Sequence, residues 1–475
     1  MAVPVPSNKV RSQHLKNTNA HGFHLEYSEK KSVDEILSTP TGKYELSKDY
    51  PKGKNRLYHA DNLGVLASLL EDNSVCGKVK LVYIDPPFST AASFESRKQK
   101  HAYDDHLVGP AFVEALRERL ILIHRLLADD GALYLHLDER MIFHFRVILD
   151  EIFGSKNFRN CITRKKCNPK NYTRKTYGNV ADYILFYTKS DTYIWNRPVE
   201  VWDEAKAIKE YQYIDVDGRR YKKVPIHAPG VRNGETGKEW RGKLPPPGKH
   251  WQYLPSKLDE MDARGEIYWS STGNPRRKIY FESSAGIPIQ DIWMDMRDAH
   301  NQNIHITGYP TEKNPALLTR IIEASSNPGD LVMDCFAGSG TTLATASKLG
   351  RQWIGVDLSE EAIKTILHRF MHGTERMGDF VNEPEKAPSS PQLGHSTFVL
   401  FNEVKGNHEF MKQNDIKLCP PVSIINKSEQ GILFNIGNSH LNTLTSVAKN
   451  STNIIKPYTS KESFTKILLS DAKLA

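Results

Sequence analysis

Between Leu331 and Asp357 the chain runs from an apolar stretch (LVMD) through a glycine turn and a helix-length segment to a second apolar stretch (WIGVD). No other part of the 475 residues narrows the fold as much. Leu331–Asp334 has the length and character of a buried strand, and a helix begins near Thr341. Between them, Gly338 and Gly340 let the backbone turn tightly and approach a ligand closely. Trp353–Asp357 is the next strand, and its acid lies 357 − 340 = 17 positions after the second glycine. In doubly wound sheets a carboxylate so placed hydrogen-bonds a ribose diol. Strand, turn, helix and spaced acid together predict a nucleoside-containing cofactor at the carboxyl ends of the strands. A dinucleotide fingerprint wants a third glycine where the helix packs, but Thr341-Thr342 follow here, and no Gly-Lys-Ser/Thr serves a phosphate. S-adenosylmethionine, which has a ribose and no phosphate, fits better. A dinucleotide-dependent oxidoreductase is the competing reading.

The same α/β alternation occurs earlier. Val79–Ile84 is a β-branched run stopped by Asp85-Pro86-Pro87-Phe88, since proline cannot continue a ladder. Phe112, Leu116, Leu120, Ile123 and Leu127 recur at helical spacing, Asp129-Asp130-Gly131 breaks the helix, and Ala132–Leu137 reads as a strand. Tyr183–Tyr187 reads as another strand, Pro315–Ser325 and Glu360–Phe370 as helices. The expected organisation is an N-terminal arm (1–55), a first α/β part (56–154), a domain-sized insert (155–305), a second α/β part (306–375), and a linker with a C-terminal region of unknown role (376–475).

Charge singles out the insert. Residues 155–305 hold 27 Lys+Arg against 18 Asp+Glu, a balance of +9, whereas the whole chain carries 64 − 56 = +8. The entire basic excess therefore lies in that segment, together with six of the seven tryptophans. Basic side chains neutralise phosphates and aromatic rings stack on bases, so this composition points to nucleic acid. Trp240, Trp251 and Trp269 are expected in a core rather than between bases. No apolar run approaches 18 residues and no secretory h-region opens the chain, so a membrane span is not expected and the location reads as cytoplasmic. The five cysteines form no CxxC pair and the histidines are scattered, so no metal site is expected.

Asp85-Pro86-Pro87-Phe88 groups a carboxylate, a prolyl carbonyl and an aromatic ring at a strand end. Two acceptors can take both hydrogens of an exocyclic amine while the ring stacks on its heterocycle. Tyr83–Phe88 (YIDPPF) resembles the catalytic motif of amino-group DNA methyltransferases, and Phe336–Thr342 (FAGSGTT) resembles their cofactor motif. Catalytic motif first, insert next and cofactor motif last is similar to the beta class of that family, over about residues 56–375.

The resemblance implies an α/β fold: a Rossmann-like, S-adenosylmethionine-dependent methyltransferase sheet, circularly permuted, with an inserted target-recognition domain. It assigns Asp85, Pro86, Pro87 and Phe88 to the target amine. Asp334, Phe336, Gly338 and Gly340 fall on the cofactor loop and Asp357 on the ribose acid. Thr311 and Lys313 match a segment that contacts the methionine part, with Tyr309 and Asn314 where the family often has His and Pro. Asp61 matches an acidic motif near the adenine; by itself it reads equally as a helix cap.

In the insert, Arg164, Lys165, Lys166, Arg174, Lys175, Arg276, Arg277 and Lys278 are the expected DNA contacts, mostly to phosphates. The implied function is sequence-specific methylation of adenine N6 in double-stranded DNA, on a flipped base, in a restriction–modification system. Asp-Pro-Pro-Phe leans to adenine N6 over cytosine N4, in the family's pattern. The implied protein partners are a second copy in a homodimer and a cognate restriction subunit. A catalytically silent DNA-binding subunit is the remaining alternative. Cytosine C5 chemistry would require a cysteine after a proline, and none of the five cysteines follows one.

Overall fold

The computed structural model describes residues 23–86, 93–95, 101–104, 109–169, 175–298, 305–310, 312–376 and 398–404, and four strands between residues 423 and 469. Ten strands share one mixed sheet and are numbered here along the chain. They are β1 Tyr44–Leu46, β2 Asn55–His59, β3 Val79–Ile84, β4 Leu127–Leu137, β5 Phe158–Lys165, β6 Ala181–Thr188, β7 Ile292–Trp293, β8 Leu331–Asp334, β9 Gln352–Asp357 and β10 Phe398–Glu403. Their order across the sheet is β1-β10-β2-β9-β8-β3-β4-β6-β5-β7. The six strands from β10 to β4 are mutually parallel. β6 runs antiparallel between β4 and β5.

Besides the short helix Val33–Leu37, the helices that cover the two faces among the described residues are α1 Asn62–Leu69, α2 Pro110–Leu126, α3 Ile142–Phe153, α4 Pro315–Ser325, α5 Thr341–Lys348 and α6 Glu360–His372. Val82 and Ile84 of β3 join one core with Leu66 of α1, Leu120 of α2 and Phe145 of α3. Leu81 and Tyr83 join the opposite core with Leu318 of α4, Leu343 of α5 and Ile366 of α6. Alternate side chains of one strand are thus buried on both faces, which is why VKLVYI reads as a nearly unbroken apolar run.

The central pair positions everything that follows. β3 and β8 lie side by side and parallel. From β3 the chain crosses through α2 to β4 on one side; from β8 it crosses through α5 to β9 on the other. The connections diverge, so a crevice opens at the carboxyl ends of these two strands, where doubly wound sheets bind ligands. Asp85 follows the end of β3 and Asp334 is the last residue of β8.

The segment boundaries differ from the sequence expectation in three places. Within 155–305, β5, β6 and β7 belong to the main sheet. From the C-terminal region, β10 pairs with β2; from the N-terminal arm, β1 pairs with β10. β1 and β7, at the two edges, are only three and two residues long, and β5 keeps exposed polar residues, so these segments look like loop or insert. The break at Asp129-Asp130-Gly131 is also not a loop: α2 ends at Leu126, and β4 begins at Leu127 with an irregularity against β3. A Cβ on Gly131 would sit 2.8 Å from the Val79 carbonyl, which explains the glycine there.

Between β6 and β7 lies a smaller antiparallel sheet of Tyr213–Ile214, Arg220–Pro225, Pro275–Tyr280 and Ile267–Trp269, in that order, with the helix Pro255–Ala263. Trp240 and Trp251 are buried with Leu258, Met261 and Ile267, and Trp269 packs against them. Each indole N–H donates inward: Trp240 to Asp259 at 3.0 Å, Trp251 to the Lys238 carbonyl at 2.9 Å and Trp269 to Asp262 at 2.8 Å. These three rings are core. Residues 405–475 form a separate unit, whose strands Ser423–Ser428, Gly431–Ile436, Thr465–Leu469 and Ile455–Thr459 pair antiparallel.

Candidate active site

The turn after β8 has the backbone its glycines foreshadow. Gly338 and Gly340 have φ of +50° and +72°, a left-handed region costly to other residues. A Cβ on Gly340 would also lie 2.8 Å from Ile366 Cγ1 of α6, so this position is closed on two grounds. Asp357, at the end of β9, braces the turn: one carboxylate oxygen accepts from the Gly338 N–H at 2.7 Å and the other from the Ser359 N–H at 2.8 Å. Burial pushes its carboxyl above the usual range.

Asp334 is buried beneath the same turn and accepts from the Phe336 N–H at 3.0 Å. Burial pushes its carboxyl up to about 7, against the lowering effect of Thr342 and the Phe336 N–H, and the neighbouring Asp85 charge adds to the rise. Phe336 is half-buried against the core of α1–α3. Asp61 is the N-cap of α1, accepting from the Leu63 N–H at 2.8 Å, and it lies 3.3 Å from Arg119. It is a helix cap, and it also sits beside the turn. The adjacent Asn62, which drew no attention in the sequence, donates to the Cys335 carbonyl at 2.7 Å and ties α1 to the turn.

The segment before α4 crosses the turn. The Tyr309 ring lies 3.5 Å from where a Gly338 Cβ would stand. Buried Glu312 accepts from the Thr307 N–H and hydroxyl and pairs with Arg369 of α6. Asn314 caps α4 by accepting from the Ala316 N–H at 3.0 Å, and Pro315 opens the helix. Lys313 is buried and forms an ion pair with Oδ2 of Asp85. Residues 249 positions apart (334 − 85) thus meet in one crevice, with Asp85 of the first motif beside Asp334 of the second. Pro86 is buried next to Asp85, while Pro87, Phe88 and Thr311 lie outside the described residues.

Sequence reasoning missed what stands behind Asp85. His136 of β4 is completely buried, with Nδ1 2.8 Å from the Tyr83 hydroxyl and 3.7 Å from Oδ1 of Asp85. Its Nε2 lies 3.0 Å from Asp182 of β6. Asp182 in turn takes a two-pronged pair from Arg164 of β5, at 2.8 and 2.7 Å. The only signal in the sequence was a set of polar residues inside apolar strand runs.

The expected DNA contacts divide by exposure. Arg164 is a correction: it is 1% exposed, spent on Asp182 and on Asp298 at 2.6 Å, so it cannot reach a phosphate. It stands directly across the β5–β6 ladder from Asp182, which makes it part of the sheet. Lys278 is held by Asp215 at 2.7 Å, and Arg277 donates to the Tyr253 hydroxyl at 2.7 Å. Both are half-buried. Arg276 and Lys175 are exposed, Lys165 and Lys166 are partly exposed, and Arg174 lies outside the described residues.

A family model described as DNA methylase matches residues 79–368. The type II methyltransferase M.EcaI of Enterobacter cloacae is 49% identical over 364 residues, covering 75% of this chain and 80% of that protein. The StyLTI Mod subunit, a type III restriction-modification enzyme of Salmonella typhimurium, is 24% identical; the match covers 68% of this chain and 54% of that longer protein. The DNA adenine methyltransferase YhdJ of Escherichia coli is 27% identical, with 66% and 81% covered.

Proposed function

Because the chain belongs to the amino-group DNA methylase family, we propose that it methylates N6 of a flipped adenine in DNA, with S-adenosylmethionine as donor, within a restriction–modification system. The observation that carries this reading is the placement of Asp85 beside Asp334 at the switch point of the sheet. The acid-lined glycine turn suits a cationic, phosphate-free ligand. In this reading Asp357 takes the ribose diol, Asp334 the ammonium of the methionine part, and Asp61 and Phe336 the adenine side. When bound there, the donor supplies an electrophilic methyl group.

The protein's own part is positioning and electrostatics. The target base leaves the duplex stack to reach the crevice. Its amine nitrogen has a lone pair delocalised into the ring. Asp85 and the Pro86 carbonyl accept its two hydrogens, favour a more tetrahedral nitrogen and free that lone pair for in-line attack. Lys313 must release Asp85 for this to occur. The Asp-Pro-Pro-Phe motif and the likeness to a named adenine methyltransferase support adenine over cytosine. Mass spectrometry of nucleosides from DNA treated with the purified protein tests the assignment: N6-methyladenine is expected, and N4-methylcytosine in its place would overturn the choice of base.

Two predictions follow from the charges. Burial raises the Asp334 carboxyl to about 7, so it changes protonation state near neutral pH, and a cationic ligand needs the carboxylate. Affinity for S-adenosylmethionine should therefore rise with pH through 7 and weaken about tenfold per unit below it. Calorimetry from pH 5.5 to 8 should show that slope, and Asp334→Asn should flatten it. On the insert, exposed Arg276 is placed for phosphate contact. Arg276→Ala should weaken binding across DNA sequences and reduce the salt slope by about one. An unaltered slope in salt titrations would remove Arg276 from the interface.

A further inference from the structure

Asp85 must do more than accept a hydrogen bond. When nitrogen bonds to the methyl carbon, the carbon–sulfur bond breaks with its electrons going to sulfur, and the nitrogen is left cationic with one proton too many. Asp85 is the adjacent acceptor, and once protonated it can no longer polarise another amine. The methyltransferase reading therefore raises a question the family assignment leaves open, namely where that proton goes.

Register places His136 directly behind Asp85, because Ile84 pairs with Leu135 and the next residues on the two strands are Asp85 and His136. Oδ2 of Asp85 faces Lys313, whereas Oδ1 is buried without a hydrogen-bond partner among the described residues and lies 3.7 Å from Nδ1 of His136. The other ring nitrogen is 3.0 Å from the Asp182 carboxylate. Two sets of lone pairs would repel there. That 3.0 Å approach favours hydrogen on Nε2, although the contact is off-line for a hydrogen bond, and the relay takes Nδ1 as the acceptor. Burial, with the Asp85 charge adding to it, keeps the Tyr83 phenol protonated, so its hydroxyl donates to Nδ1 at rest. That hydroxyl can rotate and accept once Nδ1 is protonated.

The charged groups around His136 and its partners are the cations Arg164 and Lys313 and the carboxyls of Asp85, Asp182, Asp298 and, beside Asp85, Asp334. Burial alone would raise the Asp182 carboxyl, but His136 and Arg164 outweigh it and hold it well below the usual carboxylate range.

We infer that His136, oriented by Asp182, is a relay residue: once the proton of the target amine is on the Asp85 carboxylate, the Tyr83 hydroxyl turns its hydrogen away from Nδ1, the 3.7 Å gap between Oδ1 and Nδ1 closes to hydrogen-bond distance, and Nδ1 takes the proton and holds it until product leaves. Asp85 is thereby restored as a carboxylate while the site is still closed. Asp182 acts as a positioning residue that stabilises the imidazolium, and Arg164 keeps Asp182 in place. His136 does not touch the base; it acts through Asp85.

The test follows methyl and proton separately in a single turnover of the full-length protein on duplex DNA. Rapid quench with tritiated S-adenosylmethionine reads methyl transfer, and a pH indicator in weak buffer reads proton release. In the native protein the proton should reach solvent after the methyl transfer, with the slower product-release step. His136→Gln keeps a donor toward Asp182 but has no basic atom facing Asp85. It should abolish the lag and slow methyl transfer about tenfold or more, with KM for DNA and Kd for S-adenosylmethionine within twofold. If that variant does not fold, Asp182→Asn should shorten the lag in its place. Proton release in step with methyl transfer in the native protein overturns the inference, as does a lag that persists in folded His136→Gln. Absence of any methyl transfer by the native protein would instead overturn the methyltransferase reading, and this inference with it.

Discussion

Asp85→Ala should lower methyl transfer by about a hundredfold to a thousandfold or more, the loss expected when a preorganised electrostatic partner of the reacting atom is removed. The effect should fall on the rate of the bound complex rather than on cofactor binding, because Asp357 and the glycine turn are untouched. A secondary change identifies the cause. Asp85 is one of the groups raising the Asp334 carboxyl, so its removal should shift the pH dependence of S-adenosylmethionine binding to lower pH. Tritium incorporation into DNA reads the first effect and calorimetry the second. Full activity in the alanine variant would remove Asp85 from the chemistry.

Arg164→Ala should instead cost stability, by about 3–5 kcal/mol, because it strands the buried Asp182 and the partly buried Asp298 without their cation. Lysine should not restore it, since a single ammonium cannot reproduce the two-pronged contact with Asp182. The sign of the pH dependence follows from Asp182. Its carboxyl is depressed in the folded protein, so its contribution is present above the ordinary carboxylate range and is lost as pH falls below it. The native protein should lose stability on acidification more steeply than the Arg164→Ala variant. Melting curves from pH 6 down to about pH 2 measure both. A variant that melts like the native protein but binds DNA with a shallower salt slope would restore Arg164 to the interface.

The residues around the crevice show why some of this was legible and some was not. The glycine turn, Asp357 and the strand ends announce themselves because local backbone geometry permits few other residues there. Val79–Ile84, Pro315–Ser325 and Leu331–Asp334 were bounded correctly because prolines and turn residues punctuate them. The His136–Asp182–Arg164 chain is long-range: its members come from three strands whose adjacency depends on sheet order, and nothing near any one of them in sequence reveals the other two. Arg164 was misjudged for the same reason. Arg164-Lys165-Lys166 looks like a solvated basic cluster, but Arg164 stands opposite Asp182 inside the sheet core, whereas Lys165 at the end of β5 and Lys166 just beyond it are partly exposed. β10 was hidden by the polar segment before it and by its place near the sheet edge.

The diverging connections at β3 and β8 make the order of the two motifs along the gene immaterial. Either half could be translated first, and the same two carboxylates would still arrive side by side, because what brings them together is neighbouring backbone ladders rather than a shared loop. Between β6 and β7, the segment holding the smaller sheet adds no strand to the main sheet and is the part free to vary in length and content. If that segment reads DNA, as proposed above, a new preference could be acquired there without disturbing the crevice, provided that the strands bearing Asp182 and Arg164 stay in register.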